Sequence, residues 1–515
     1  MKNKIVLINT IPAPLEGKTQ KTNVSPGLLA IGTWITKNSK FNVRLIDCIV
    51  EEKYLELIKK ELEGEDVLLV GLSVMSSCIP NALEITRMVK KFDSSIKIIW
   101  GGVHCRLYPE QTIKYPLIDF IAYEEGEKPM LNLANCLAKN KSPAKVKGIF
   151  YKIKDKIMRN PPEELIDLNE LGIMNYDLLN QKVFDGGEGS IYTSRGCPHR
   201  CTFCINVVTK NRKWRALTAE NVIKEIEYVL KKYPNTKIIN FRDDCFFVSK
   251  ERANKILDEL LKKKRKLKFT TSTRIDYFRN GLIDENILKK MKEVGFYNLN
   301  LGAEFGSQKM LDFIKKDIKK EDILQCVKLL KGAGIGGTFA FMTGFPTETR
   351  ADIMESINII KQMCNMNQGV NVVKENGKVY EWRDKVRISG PDVYRPYPGG
   401  ELYDFVVQNY GWKTPEKLEE WEPYFRKNIR YNIEDYPWIK GDPHYVIALQ
   451  FYVKIGKLNF STFLQRLTLP YSRKLKVFTI LFYPFARIRM LLNYFDHPIE
   501  YNLAKRFNLL KGLEN

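Results

Sequence analysis

Apolar and polar positions follow two rhythms along residues 1–140. Short apolar runs at Lys4–Asn9, Val43–Asp47, Val67–Ser73, Ile96–Trp100 and Phe120–Tyr123 have the length and branched-residue content of buried strands. Between them, Pro26–Thr36, Tyr54–Leu62 and Ala82–Phe92 carry apolar residues at helical spacing. Strands alternating with helices predict right-handed crossovers and a doubly wound parallel sheet. Ligands on such sheets bind beyond the carboxyl ends of the strands. Those ends carry Asn9-Thr10, Asp47, Ser73-Val74-Met75-Ser76-Ser77 and Gly101-Gly102-Val103-His104. The glycine pair lets a bulky ligand approach the backbone closely.

Residues 141–188 read as a linker with a short hairpin, whose arms 148–152 and 156–158 flank Lys154-Asp155 before Pro161-Pro162 breaks the pattern. Over residues 189–395 the alternation resumes. Strands at Ser190–Ser194, Lys237–Arg242, Lys268–Arg274, Tyr297–Glu304, Gly336–Thr343 and Lys385–Ser389 predict a partial (β/α)6 barrel with its chemistry on the loops after each strand. Asn365–Trp382 departs from a clean sixth unit and reads as an inserted hairpin. Residues 396–515 form a mainly helical, basic and aromatic C-terminal region. The expectation is an α/β protein: an N-terminal doubly wound sheet, a central partial barrel and a helical end.

Composition narrows the function. At 515 residues the chain is too long for one ordinary domain, and 44% hydrophobic content supports buried cores. Ten cysteines behind a start that reads as a first strand, not a secretory signal, argue against a disulfide framework and for a reducing cytoplasm. No apolar run reaches the roughly 18 residues that span a bilayer. The net charge of +23 fits nucleic acid, anionic lipid or simply a lysine-rich surface. No RNA-binding module signature accompanies it, so nucleic acid is not an expected partner. Phe451–Asn515 holds eleven Lys or Arg against three Asp or Glu, and its apolar run Val477–Ala486 is followed by Arg487 and Arg489. This stretch reads either as a peripheral contact with the inner face of the membrane or as a helical cap over the barrel mouth.

One motif changes the picture. Cys197, Cys201 and Cys204 stand as CxxxCxxC in the loop after the first barrel strand. Three thiolates can hold three corners of an iron–sulfur cube and leave the fourth iron open to a small chelating molecule. A zinc knuckle or a chance spacing is the plain alternative. Cys245 reads as a packed thiol, since a fourth ligand would close the open position.

With this spacing the chain resembles the radical S-adenosylmethionine (radical SAM) enzymes. The resemblance implies a 4Fe-4S cluster that binds SAM and cleaves it to a 5′-deoxyadenosyl radical. It assigns Phe203 to the adenine, and Asp243 or Asp244 to the SAM amino group, with helix capping as the alternative for either aspartate. It gives Glu304 to the ribose hydroxyls. Gly344-Phe345-Pro346-Thr347-Glu348-Thr349 matches the family's Gly-Phe-Pro-Gly-Glu-Thr string except at Thr347, and so places Gly344, Pro346 and Glu348 on the SAM pocket. Arg274 suits the SAM carboxylate or a surface salt bridge.

The N-terminal region resembles the cobalamin-binding domain that precedes many radical SAM domains, through Val70-Gly71-Leu72-Ser73-Val74-Met75, Trp100-Gly101-Gly102-Val103-His104 and Glu124-Glu125-Gly126-Glu127. This resemblance places cobalamin against Ser73, Ser76, Gly101, Gly102, His104 and Glu127. No DxHxxG motif follows Asp47, so no histidine is expected on the lower axial face, and His104 reads as a pocket-lining or exposed loop residue. Tyr123 stands where a glycine is usual. The function implied is cobalamin-dependent methylation of an unactivated carbon in a lipid-like or other small-molecule substrate. Electrons would come from a reductant protein such as ferredoxin or flavodoxin. The alternatives are cobalamin-linked cyclisation or other redox chemistry, a tRNA methylthiotransferase with a second cluster on Cys48, Cys78 and Cys105, and a non-catalytic peripheral membrane or cobalamin-carrier protein.

Overall fold

The five apolar runs of the N-terminal region are strands β1 (Lys4–Asn9), β2 (Asn42–Asp47), β3 (Val67–Ser73), β4 (Lys97–Gly101) and β5 (Phe120–Ala122). They run parallel in the order β2-β1-β3-β4-β5, which puts a topological switch point between β1 and β3. Both faces are covered, so the strands are apolar throughout rather than alternating. The computed structural model describes residues 2–13, 25–64, 66–154, 156–184, 186–208, 213–366, 373–375, 378–380, 386–396, 399–427, 436–439, 445–446, 451–453, 473–507 and 509.

The expected linker is in part sheet. Its hairpin, β6 (Ile149–Ile153) and β7 (Lys156–Arg159), continues the sheet antiparallel from β5. Phe150 and Tyr151 are buried there, and the Asn160 amide closes the turn by donating to the carbonyls of Pro143 and Val146 at 2.9 and 2.6 Å. A free linker would leave those groups in water.

Contacts divide the chain into two units: residues 1–196, 208–242 and 413–430, and residues 197–207, 243–412 and 431–515. The segment 413–430, expected in the C-terminal region, thus belongs with the N-terminal sheet. Leu418 and Trp421 are buried in its core, Trp421 Nε1 donates to Gln111 Oε1 at 2.8 Å, and Arg87 pairs with Glu422 at 3.1 Å. The first unit also holds the parallel pair β8 (Glu188–Ile191) and β11 (Ile238–Phe241) and the short antiparallel pair β9 (Ser194–Arg195) and β10 (Arg215–Ala216).

In the second unit β12 (Lys268–Thr273), β13 (Phe296–Glu304), β14 (Gly336–Thr343) and β17 (Val386–Val393) are parallel neighbours in that order. Six strands therefore answer the six expected strand–helix repeats. The inserted hairpin is β15 (Val373–Glu375) with β16 (Lys378–Tyr380). The outer helices Lys250–Lys263 and Glu285–Val294 start at Ser249 and Asp284, whose side chains accept amide bonds, and the second stops at left-handed Gly295. Helices Glu401–Tyr410, Arg473–Leu492 and Ile499–Arg506 are described in the C-terminal region; residues 454–472, expected to be helical, lie outside the described residues.

Trp421→Ala should lower the stability of the first unit by about 3 kcal/mol, because a large buried side chain leaves a cavity in its core. Chemical denaturation followed by far-UV circular dichroism measures it.

Candidate active site and cofactor pocket

The cysteine loop is fastened inside the second unit before any metal is considered. Thr202 N donates to Ile314 O, Cys204 N to Cys201 O, each at 3.0 Å, and Arg200 pairs with Asp317 at 2.8 Å. Cys201 is buried, and Cys197 and Cys204 are half-buried. A hydrogen bond from Cys245, helped by the His199 amide and the charge of Arg274 against the cost of burial, draws the Cys197 thiol down to about 6. A thiolate at neutral pH is the form a metal takes. Among the described residues, the donors within 4.8 Å of one another are those of Cys197, His199 and Cys245, a single-ion spacing. The Cys197–Cys201–Cys204 triad is not so tight, as befits ligands on separate corners of a cube.

Sequence reasoning missed the surroundings of this loop. Tyr277 shares one hydrogen bond with His199 Nε2 at 2.7 Å and another with Cys245 Sγ at 3.0 Å. Arg274, expected on the SAM carboxylate or in a surface salt bridge, is in neither place. It is buried and its donors are committed: Nε to Asp276 at 2.9 Å, Nη1 to Cys201 Sγ at 3.3 Å, and Nη2 to the Lys316 carbonyl. It anchors Cys201. Lys316, which carried no sequence signal, forms a buried ion pair with Glu304 at 2.7 Å. Desolvation opposes its charge, but Glu304 and Cys201 together hold the ammonium above its ordinary range. Glu304 has φ +61, and a Cβ on Gly302 would meet its Oε1 at 2.2 Å, so that glycine makes room for the pair.

Phe203 lies edge-on to Phe345 at 6.1 Å. Asp243 is buried and Asp244 exposed; neither caps a helix, because Ser249 does. Asp243 faces Arg252, and Asp244 faces Cys197. In the Gly344–Thr349 loop, the Glu348 carboxylate accepts from the amides of Gly344 and Phe345 at 2.5 and 3.2 Å, while burial pushes it up to about 8. Pro346 is buried. Thr347 sits at φ +70, which explains why the family string has glycine there: a β-branched residue is strained in that region. Trp438 Nε1, from the C-terminal region, donates to the Gly344 carbonyl at 2.9 Å, and Tyr394 stacks on Phe345 at 4.4 Å, so aromatic side chains cover this loop.

In the first unit a pocket of about 200 Å3, partly open to solvent, lies beyond the ends of β3, β4 and β5. Ser73, Gly101, Gly102 and Glu127 all border it. Gly102 has φ +93, and a Cβ there would lie 2.8 Å from Val74 N. Arg195, unforeseen, borders the pocket and clamps Glu125 at 3.0 Å and Glu127 at 2.7 Å, and Arg215 also pairs with Glu125. Ser76 and His104 are not on the pocket wall. They bond to each other at 3.1 Å, and His104 is neither lining nor exposed but fully buried beside Tyr108 and Trp421, which drives its imidazole down to about 3. Tyr123 also points elsewhere, donating to Asn160 O at 2.9 Å, so its replacement of glycine leaves the pocket clear. The glycine rim and the apolar floor of Leu7, Leu28, Leu72 and Ile99 fit a corrin laid against the strand ends, and among the described residues no histidine lines the pocket. Cys48, Cys78 and Cys105 are buried in the apolar core, where desolvation raises all three thiols and so disfavours the thiolate form that a second cluster would need.

Residues 191–360 match the radical SAM superfamily and residues 23–134 the B12 binding domain. Those two matches give the chain a radical SAM domain and, ahead of it, a B12-binding domain. An uncharacterized methyltransferase of Pyrococcus horikoshii is 28% identical over 79% of this chain and 84% of that protein. The anaerobic magnesium-protoporphyrin IX monomethyl ester cyclase of Rubrivivax gelatinosus is 25% identical over 73% of this chain and 66% of its own length. The cobalamin-dependent S-adenosylmethionine radical enzyme OxsB, solved with aqua-cobalamin and S-adenosylmethionine, aligns with a TM-score of 0.67 at 18% identity, over 98% of this chain and 81% of that one. At that identity the likeness is one of fold.

Two substitutions probe the two sites separately. Gly102→Ala should abolish cobalamin retention, read from the visible spectrum, while leaving iron content unchanged. Arg274→Gln should shift the cluster to a more negative midpoint potential in an EPR-monitored titration, because a charged N–H donor on a ligand sulfur favours the reduced state.

Proposed function

We propose that the protein is a cobalamin-dependent radical SAM methyltransferase that methylates an unactivated carbon of a small, lipid-like molecule. The observation that carries the reading is the presence in one chain of a glycine-rimmed pocket on the B12-binding sheet and a three-cysteine loop with no fourth cysteine ligand in sequence. When bound, the cofactors supply a 5′-deoxyadenosyl radical to remove hydrogen from carbon and a methyl group to replace it. Every remaining task falls to side chains.

Cys197, Cys201 and Cys204 hold the cluster, and Arg274 and Lys316 balance its thiolates. Asp244, exposed and facing Cys197, receives the SAM amino group, while buried Asp243 steadies the turn against Arg252. Glu304 keeps one oxygen on Lys316 and offers the other to the ribose hydroxyls. Phe203 and the Gly344–Glu348 loop, covered by Tyr394 and Trp438, exclude water from the adenine side. In the first unit Ser73, Gly101, Gly102 and Glu127 border the corrin. The basic, aromatic C-terminal region supports the lipid-like substrate. A ferredoxin or flavodoxin as reductant and a cytoplasmic location complete the reading.

A second reading, cyclisation or other redox chemistry without methyl transfer, is favoured by the match to the monomethyl ester cyclase. Anaerobically reconstituted protein given SAM and reductant separates the two. Roughly four irons and one cobalamin per chain, with both 5′-deoxyadenosine and S-adenosylhomocysteine formed, is the expected result. 5′-Deoxyadenosine without S-adenosylhomocysteine moves the assignment to the second reading, and a chain that binds no cobalamin sinks both.

A further inference from the structure

Nine of the seventeen exposed large hydrophobic side chains among the described residues fall between Val477 and Phe507. On the helix Arg473–Leu492, Val477, Leu481, Phe485, Ile488 and Leu492 are 52, 60, 55, 52 and 71% exposed. Their spacing of four, four, three and four residues is that of one helix face. Phe478, Ala486 and Met490, on the other side, are buried. The helix is docked by one face and turns a continuous apolar stripe to water, which marks an interaction surface.

Charge decides what that surface fits. The helix contains Arg473, Lys474, Lys476, Arg487 and Arg489 and no acidic residue. Arg489 is turned inward onto Glu500 at 3.0 Å, whereas Arg487 is exposed. The following helix adds exposed Ile499, Lys505 and Arg506, with Phe507 just beyond. The nearby acids are already paired, Glu500 with Arg489 and Asp496 with Arg350 at 3.0 Å. An apolar stripe on a helix rich in basic residues and without an acidic one matches a layer that is apolar inside and negative at its surface. No helix among the described residues is long and apolar enough to cross a membrane, so the contact is in the plane.

We propose that the helix Arg473–Leu492 lies in the interface of an anionic lipid bilayer, with Leu481, Phe485 and Ile488 beneath the headgroups and Arg487 among them. This surface is independent of the reaction assigned above.

The test is co-sedimentation of the full-length, cluster-loaded protein with vesicles of equal parts phosphatidylcholine and phosphatidylglycerol, beside vesicles of phosphatidylcholine alone. Binding to the anionic vesicles, weakened by salt, is expected. The triple variant Leu481→Ser, Phe485→Ser, Ile488→Ser should lose roughly tenfold or more in partitioning, with circular dichroism and iron content unchanged. Should that variant misfold, Lys474→Gln, Lys476→Gln, Arg487→Gln decides the matter, because it should remove the salt-sensitive part of binding. Failure of the native chain to bind, or equal binding by the variants, overturns the proposal. So does a dimer by light scattering that the triple variant reduces to a monomer, since the stripe would then be a face for a second copy of the chain.

Discussion

Three cysteines stand within eight residues, and ionising them to hold a metal sets up a mutual repulsion within the second unit. Two buried cations answer it. Arg274 donates directly to Cys201, and Lys316 lies near enough for that sulfur to raise its charge affinity. Neither cation is left alone in low dielectric: Asp276 balances one and Glu304 the other, each within hydrogen-bond distance. The strained backbone at Glu304 and the bare Cα of Gly302 follow from fitting the second of these pairs against β13.

The pocket of the first unit obeys a different constraint. A corrin needs a broad, mostly apolar opening next to close-approaching backbone, and the carboxyl end of a parallel sheet at its switch point provides one. The acidic string Glu124 to Glu127 would be mutually repulsive at the rim; Arg195 and Arg215 neutralise it while leaving the floor apolar.

What could be read from sequence was whatever has a short period or a fixed spacing. β1 and β3 were legible to the residue because buried parallel strands are nearly unbroken apolar runs. The cysteine triad and the glycine pair were legible because neighbours in the chain perform their task. His199, Tyr277 and Lys316 were not, since their partners lie 12 to 78 residues away and no local pattern records the pairing. His104 was misplaced for a related reason. A loop position suggested exposure, but Trp421, more than 300 residues distant, covers it. Arg274 looked like a free fork because sequence shows a donor without showing what has already claimed it.

The placement of Trp421 has a consequence for how the protein comes into being. The ribosome delivers the N-terminal sheet early, yet the residues that seal one side of its core, 413–430, emerge only after most of the second unit has been made. Until then the nascent sheet carries an uncovered apolar socket around Tyr108 and His104. The two units therefore cannot mature in simple succession. Completion of the first waits on synthesis of most of the second, and a chain that stalls between residues 243 and 412 is left with neither unit finished.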